Sequence, residues 1–156
     1  MSNKTSVLIL ENIRSVENTA SIFRSASSFN VSKVILIGTT PAPLDRFGRI
    51  RQDFAKISLG AEKLISWEAT KSISSTIEEL REQGFQIISL EQDPKSVRLK
   101  DFKTSDQFAL IVGNEVTGVS KEVLETSDAI VEIPMSGSKE SLNVAVATGI
   151  ALFHLC

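Results

Sequence analysis

The stretch IPMSGSKESLNVAVATGIALF, Ile133 to Phe153, decides how the chain is read. It joins the end of an apolar run, a loop of Ser, Gly and charged residues, and an almost wholly apolar segment. From Leu142 to Leu155 the only polar side chains are Asn143, Thr148 and His154, which predicts a helix with no broad solvated face, buried nearly all round. At about fourteen residues that helix is too short to span a bilayer. A ligand-facing turn with a buried helix behind it is the first expectation.

Outward from this stretch, short runs rich in Val and Ile recur: SVLIL from Ser6, KVILI from Lys33, KLISW from Lys63, QIISL from Gln86, FALIVG from Phe108 and AIVEIP from Ala129. These are strand candidates. Val16 to Phe29 and Lys71 to Gln83 have helical character, with Gly84 placed to stop the second. The alternation predicts an α/β fold, a mainly parallel sheet with helices on both faces. Gly38 to Gly48, with Pro41, Pro43 and a Thr pair, is the clearest loop and the expected mobile segment.

With 156 residues and neither an internal repeat nor a linker, the chain reads as one domain, residues 1–156, with no separate RNA-binding domain. Apolar content of 42% and charged content of 23% are near the globular average, which argues against disorder and fibrous classes. Cys156 is the only cysteine, so no internal disulfide can form, and no Cys/His cluster suggests a metal. No signal segment is visible at the N-terminus, so the cytoplasm is the expected compartment, with no membrane association. A net charge of −2 gives no global attraction to nucleic acid, and RNA binding would need a local patch.

In open α/β sheets ligands bind at the carboxyl ends of strands. Two strand ends stand out: Gly113-Asn114-Glu115-Val116-Thr117-Gly118-Val119-Ser120 after FALIV, and Pro134-Met135-Ser136-Gly137-Ser138 after AIVEI. Neither is a dinucleotide fingerprint or a phosphate loop, which disfavours a nucleotide- or phosphate-binding enzyme of those types.

Three blocks, in order, resemble the SpoU-type (TrmH-like) RNA ribose 2′-O-methyltransferases of the SPOUT superfamily. Asn18-Thr19-Ala20-Ser21-Ile22-Phe23-Arg24 looks like the family's N-x-G/A-x-I-x-R segment. Ile111-Val112-Gly113-Asn114-Glu115, with Gly118 and Ser120, is similar to its G-N-E-x-x-G-[LV]-S loop. Ile133-Pro134-Met135, Gly137 and Ser141-Leu142-Asn143-Val144 resemble I-P-M-x-G-x-x-x-S-L-N-V. Val116 stands where the family more often has Gly, and Ala145 where Ser is common.

The resemblance implies a deep trefoil knot over about residues 86–156 that holds S-adenosylmethionine largely by main-chain contacts. The cofactor residues would be Leu90, Gly113, Asn114, Ile133, Met135, Gly137 and Leu142. Gly113 and Gly137 would let backbone approach the ligand, and the apolar neighbours would line an adenine pocket. It also implies Arg24, Asn18, Glu115, Ser141 and Asn143 as catalytic residues, and a homodimer whose active site is completed at the interface. A guanidinium keeps its proton in nearly any protein setting, so Arg24 reads as a forked donor to phosphate and developing oxyanion rather than as a base. The expected reaction is methyl transfer to a ribose 2′-hydroxyl of tRNA or rRNA. Small relatives acting on tRNA are of similar length, which slightly favours tRNA. The other reading is a non-catalytic RNA- or ribosome-binding module that keeps the knotted fold.

On spacing alone, Arg24 is a solvated helix arginine, Glu115 orders a loop or caps a helix, and Ser141 caps the C-terminal helix. Asn143, inside the first turn of so apolar a helix, would need buried partners. Arg46, Arg49, Arg51 and Lys56, set against Asp45 and Asp53, form the best local basic patch and the candidate RNA contact. Phe47 within it can stack on a base. Trp67 and the other phenylalanines read as core residues, and His154 as a core or interface histidine. A pI near 5.5 leaves room for an accessory protein that supplies basic surface.

Overall fold

The computed structural model describes residues 3–156. The elements follow in the order β1 (Thr5–Glu11), α1 (Val16–Ser28), β2 (Lys33–Ile37), α2 (Gln52–Ser58), α3 (Ala61–Leu64), β3 (Ser66–Thr70), α4 (Ile73–Glu82), β4 (Gln86–Leu90), β5 (Val97–Arg98), β6 (Gln107–Val112), α5 (Lys121–Thr126), β7 (Ala129–Glu132) and α6 (Val144–Leu155). Among these residues the seven strands form one sheet in the order β3-β2-β1-β6-β4-β7-β5. All its pairings are parallel, as the alternation of strand and helix requires.

The sheet is buried on both faces, which is why its central strands read as continuous apolar runs rather than alternating ones. Leu8 and Leu10 of β1 face a core shared with Phe23 and Ala26 of α1, Phe54 of α2 and Leu152 of α6. Val7 and Ile9 face the opposite core, with Ile77 and Leu80 of α4 and Val123 of α5. Phe23 and Phe54 meet edge to face at 5.2 Å between ring centroids, a geometry that adds about 0.5–1.5 kcal/mol beyond the area buried. This contact ties α2 to α1. Ser15 caps α1 and Ser72 caps α4 through their hydroxyls, and Gly84 with φ of 91° follows α4.

The structure departs from the sequence reading at three places. In KLISW, Lys63 and Leu64 end α3, and only Ser66 and Trp67 enter β3, which runs on to Thr70. The strong helix formers Ala61 to Leu64 outcompete the apolar reading of the run. The edge strand β5 has only two residues, too few for a periodicity to show.

The third departure concerns α6, which is not buried all round. Thr148, Ala151, Leu152 and Leu155 are buried, but Val146, Ile150 and Phe153 are 52%, 41% and 76% exposed. Their spacing places them in one stripe along the helix. Composition cannot distinguish a helix buried on every side from one with an apolar face left open. Phe47 and Phe153 likewise lie outside the core, and His154 is exposed, with Nε2 3.0 Å from the Phe102 carbonyl. No helix among the described residues is long and apolar enough to cross a membrane.

Candidate functional site at the carboxyl ends of β4, β6 and β7

A cleft of about 710 Å³ opens where β4, β6 and β7 end. Its walls are main chain and side chain of Leu90 to Gln92, Val112 to Val119, Glu132, Ile133 and Met135, closed by Ser141 to Val144, with Asn18 reaching in from α1. The sheet order reverses direction of growth between β1 and β6, so the cleft lies beside a topological switch point.

The three sequence blocks meet here through one line of hydrogen bonds. Glu115 accepts the backbone N–H groups of Arg14 at 2.9 Å and Ser15 at 3.0 Å, and the Asn18 side-chain amide at 3.2 Å. An ionised carboxylate only accepts, so Asn18 must turn Nδ2 toward it and present Oδ1 on its other side. That oxygen accepts from Asn143 Nδ2 at 2.9 Å. Asn143 Oδ1 in turn accepts the Ala145 N–H at 2.8 Å and caps α6. Asn143 rather than Ser141 is therefore the cap, and an exposed cap needs no buried partners. Ser141 lines the cleft.

Glu115 also sits against the N-terminus of α1, where unpaired N–H groups favour an anion. Burial pushes its pKa up, but the N–H groups of Ser15 and Arg14, its own N–H and the Asn18 amide outweigh this and hold it below the ordinary 4.5. A depressed value means that ionised Glu115 stabilises the fold above about pH 4.5, and that this contribution fades as pH falls through the lower folded-state value. Glu115→Gln is expected to lower the urea midpoint at neutral pH and to flatten its fall between about pH 5 and 3. An acid limb identical to that of the parent protein would contradict the assignment.

Asn114 orders its own loop, with Oδ1 accepting from Val116 N at 2.8 Å and Thr117 N at 3.0 Å and Nδ2 donating to the Asn12 carbonyl at 2.9 Å. Val116 fits this loop without a positive φ and is 78% exposed. Gly113 is required by backbone packing: a Cβ there would lie 2.3 Å from Gly118 C and Val119 N. Leu90, Gly113, Asn114, Ile133, Met135 and Leu142 all line the cleft. Gly137 is not on its wall, and a Cβ there would meet open space.

Arg24 is exposed on α1 and lines neither the cleft nor the groove beside it within one chain. In the basic segment Arg49 pairs with Asp45 at 3.2 Å and Arg51 with Asp53 at 2.8 Å, so half of the expected patch is neutralised.

Two residues that order the site escaped the sequence reading. Glu11, at the end of β1 and only 4% exposed, accepts Ser120 N at 2.8 Å and Ser120 Oγ at 2.7 Å. Glu91, following β4, accepts Val119 N at 2.9 Å and lines the cleft. A carboxylate closing an apolar strand was the available signal, since a buried charge must be hydrogen-bonded there. Among the described residues no group of three or more His, Cys, Asp or Glu side chains is placed to hold a metal.

Residues 5–153 match the model of the SpoU rRNA Methylase family. The chain is 34% identical over 152 residues to an uncharacterized tRNA/rRNA methyltransferase of Borreliella burgdorferi, covering 96% of this chain and 62% of that protein. It is 32% identical over 149 residues to the 23S rRNA (guanosine-2′-O-)-methyltransferase RlmB of Ralstonia nicotianae, covering 95% and 57%. The chain thus spans about three-fifths of these relatives' length. Among solved structures, an AdoMet-bound rRNA methyltransferase from Sinorhizobium meliloti superposes with a TM-score of 0.85 at 27% identity, over 99% of this chain and 56% of that one. The A. aeolicus TrmH/SpoU tRNA modifying enzyme gives 0.84 at 28%, over 97% and 73%. The parallel α/β sheet, the meeting of the three blocks at one cleft and these likenesses together establish that the chain belongs to the SpoU rRNA methylase family.

Proposed function

We propose that this chain transfers the methyl group of S-adenosylmethionine to a ribose 2′-hydroxyl of RNA. The observation that carries the reading is the Glu115–Asn18–Asn143 line, which joins three separated segments across the mouth of a cleft of nucleoside-ligand size. S-adenosylmethionine would supply a methyl group activated by a sulfonium. Leu90, Val112, Ile133, Met135 and Leu142 offer the apolar walls an adenine needs, and Gly113 and Asn114 present backbone. The carboxylates of Glu91, Glu115 and Glu132 on the same wall favour a cationic ligand.

Transfer would form the bond from methyl carbon to ribose oxygen as the carbon–sulfur bond breaks, with the thioether S-adenosylhomocysteine as leaving group and an RNA phosphate oxygen as the acceptor for the hydroxyl proton. The protein's task is alignment and stabilisation of the developing negative charge. Arg24 serves as the forked donor that holds a phosphate and stabilises that oxygen. Asn18, Glu115, Ser141 and Asn143 fix the mouth of the cleft around the ribose. The acceptor is tRNA or rRNA, with tRNA the first to try, and the cytoplasm is the expected site of action.

The site is completed by a second copy of the chain. The open stripe of Val146, Ile150 and Phe153 flanks a groove of about 640 Å³ that also contains Ser21 and Ser25 of α1. Asn18 and Asn143 belong to both groove and cleft. Ser21 and Arg24 are three residues apart on one helix and so share a face, which sets Arg24 at the groove's border. A two-fold pairing of this face covers the stripe and takes Arg24 to the partner's cleft. The residues 1–156 then act as one unit. Its C-terminal part, about residues 86–156, is proposed to form a deep trefoil knot. This is supported by the way β6 lies between β1 and β4 while the Asn143 segment returns past the Asn114 loop to α1.

Calorimetric titration is expected to show one saturable AdoMet site per chain, and sedimentation at micromolar protein twice the chain mass. No AdoMet binding would contradict the function, and a clean monomer would contradict the shared site.

A further inference from the structure

We propose that the turn from Asp45 to Ile50 is a stacking platform for an unpaired nucleobase of the RNA substrate. The proposal rests on the RNA reading above and adds where, and on what chemistry, a single strand is held outside the catalytic cleft. Phe47, at the tip, is 65% exposed. The guanidinium carbons of Arg46 and Arg49 lie 4.8 and 4.9 Å from its ring centroid.

The tip is built rather than loose. Asp45 Oδ1 accepts the N–H of Phe47 at 2.8 Å and of Arg49 at 2.9 Å, while Oδ2 accepts Arg49 Nε at 3.2 Å. The backbone closes twice more, Asp45 N to Arg49 O at 2.8 Å and Gly48 N to Asp45 O at 3.0 Å. Gly48 turns at φ of 78°, and Leu44 bridges Ile50. The N–H of Arg49 and burial act oppositely on Asp45, and its N–H and guanidinium partners hold the carboxyl below its ordinary range, so it stays an acceptor. At the far side Phe54 is anchored against Phe23, both fully buried.

The turn rises from the end of the sheet that carries the cleft. At its root Thr39 N donates to Asn12 Oδ1 at 3.1 Å, and the Asn12 carbonyl accepts from Asn114, a cleft residue. A single exposed phenylalanine is ordinary on a surface. An exposed ring on an ordered turn, flanked by guanidiniums, with Arg46 lacking a carboxylate partner among the described residues, pairs a π-face with a phosphate donor. That is the combination a splayed nucleotide presents. Bases inside a duplex have both faces covered, so the platform selects unpaired ones. An apolar protein pocket closing over Phe47 would have to desolvate the adjoining guanidiniums, which disfavours a protein occupant.

The test uses the full chain, a labelled twelve-nucleotide single strand, the same strand with abasic sites, and a fully paired hairpin. Phe47→Leu keeps an apolar side chain but removes the π-face, and AdoMet affinity serves as its folding control. The variant is expected to lose about tenfold or more in affinity for the single strand, and little for the abasic strand or hairpin. Phe47→Trp is expected to restore binding, with tryptophan fluorescence quenched by the single strand but not by the abasic one. Unchanged single-strand affinity in Phe47→Leu, or equal loss on all three probes, would overturn the platform and leave the RNA reading standing. Unchanged affinity together with loss of a captured cellular protein would reassign the turn to a protein partner. A wild-type protein that binds AdoMet but none of the RNAs would overturn both.

Discussion

Gly113→Ala is expected to be among the most destabilising single substitutions in the chain. The added methyl would meet the backbone of Gly118 and Val119 at 2.3 Å, and no rotamer change relieves a contact between main chains. The loop cannot retreat cheaply, because Val119 N is held by Glu91 and Ser120 by Glu11. Overpacking of a tight site costs about 1–3 kcal/mol where neighbours can adjust, and this position belongs at or above the upper end. The urea midpoint should fall accordingly, with AdoMet affinity lost in parallel because the same loop walls the cleft. Gly118→Ala offers a comparison: its methyl would meet Glu91 Oε2 at 2.0 Å, the movable end of a side chain, but its φ of 72° adds strain. A Gly113→Ala midpoint equal to the parent's would show that the close approach is not required.

Arg24→Ala is expected to lower turnover by about a hundred- to a thousandfold, the usual loss when one charge-stabilising donor is removed. Its proposed contacts are the reason to expect a clean separation of effects. Arg24 as a donor to RNA phosphate and developing oxyanion leaves the cofactor contacts intact, so AdoMet affinity should stay within about twofold while the rate collapses. Arg24→Lys keeps the charge but loses the planar fork, and an intermediate rate is expected. Parallel loss of AdoMet affinity and rate would move Arg24 from charge stabilisation to cofactor binding.

Much of this was legible in the residues, for identifiable reasons. The parallel sheet showed because β1, β2 and β6 are buried on both faces and so carry unbroken Val, Ile and Leu runs. The cleft residues showed because two of the three motif blocks follow the ends of strands, β6 and β7. What stayed hidden depended on distant partners. Asn143 is a cap whose second amide hand reaches Asn18, 125 positions away, and no local pattern carries that. The same holds for Glu115 across the gap to Ser15. The packing role of Gly113 stayed hidden because a glycine needed for ligand and one needed for backbone look alike in sequence. The open stripe on α6 was hidden for the opposite reason, since apolar residues left open on a helix and those facing a core are of the same types.

The most direct test of the central claim is transfer of labelled methyl from AdoMet to unmodified tRNA and rRNA, with Arg24→Ala run in parallel, followed by alkaline hydrolysis. A 2′-O-methyl group blocks cleavage at its own linkage. Label in alkali-stable dinucleotides is expected from the parent protein, and almost none from the variant. Label recovered in mononucleotides would indicate base methylation instead, and AdoMet binding without any transfer to RNA would contradict the assignment of this cleft as a ribose methylation site.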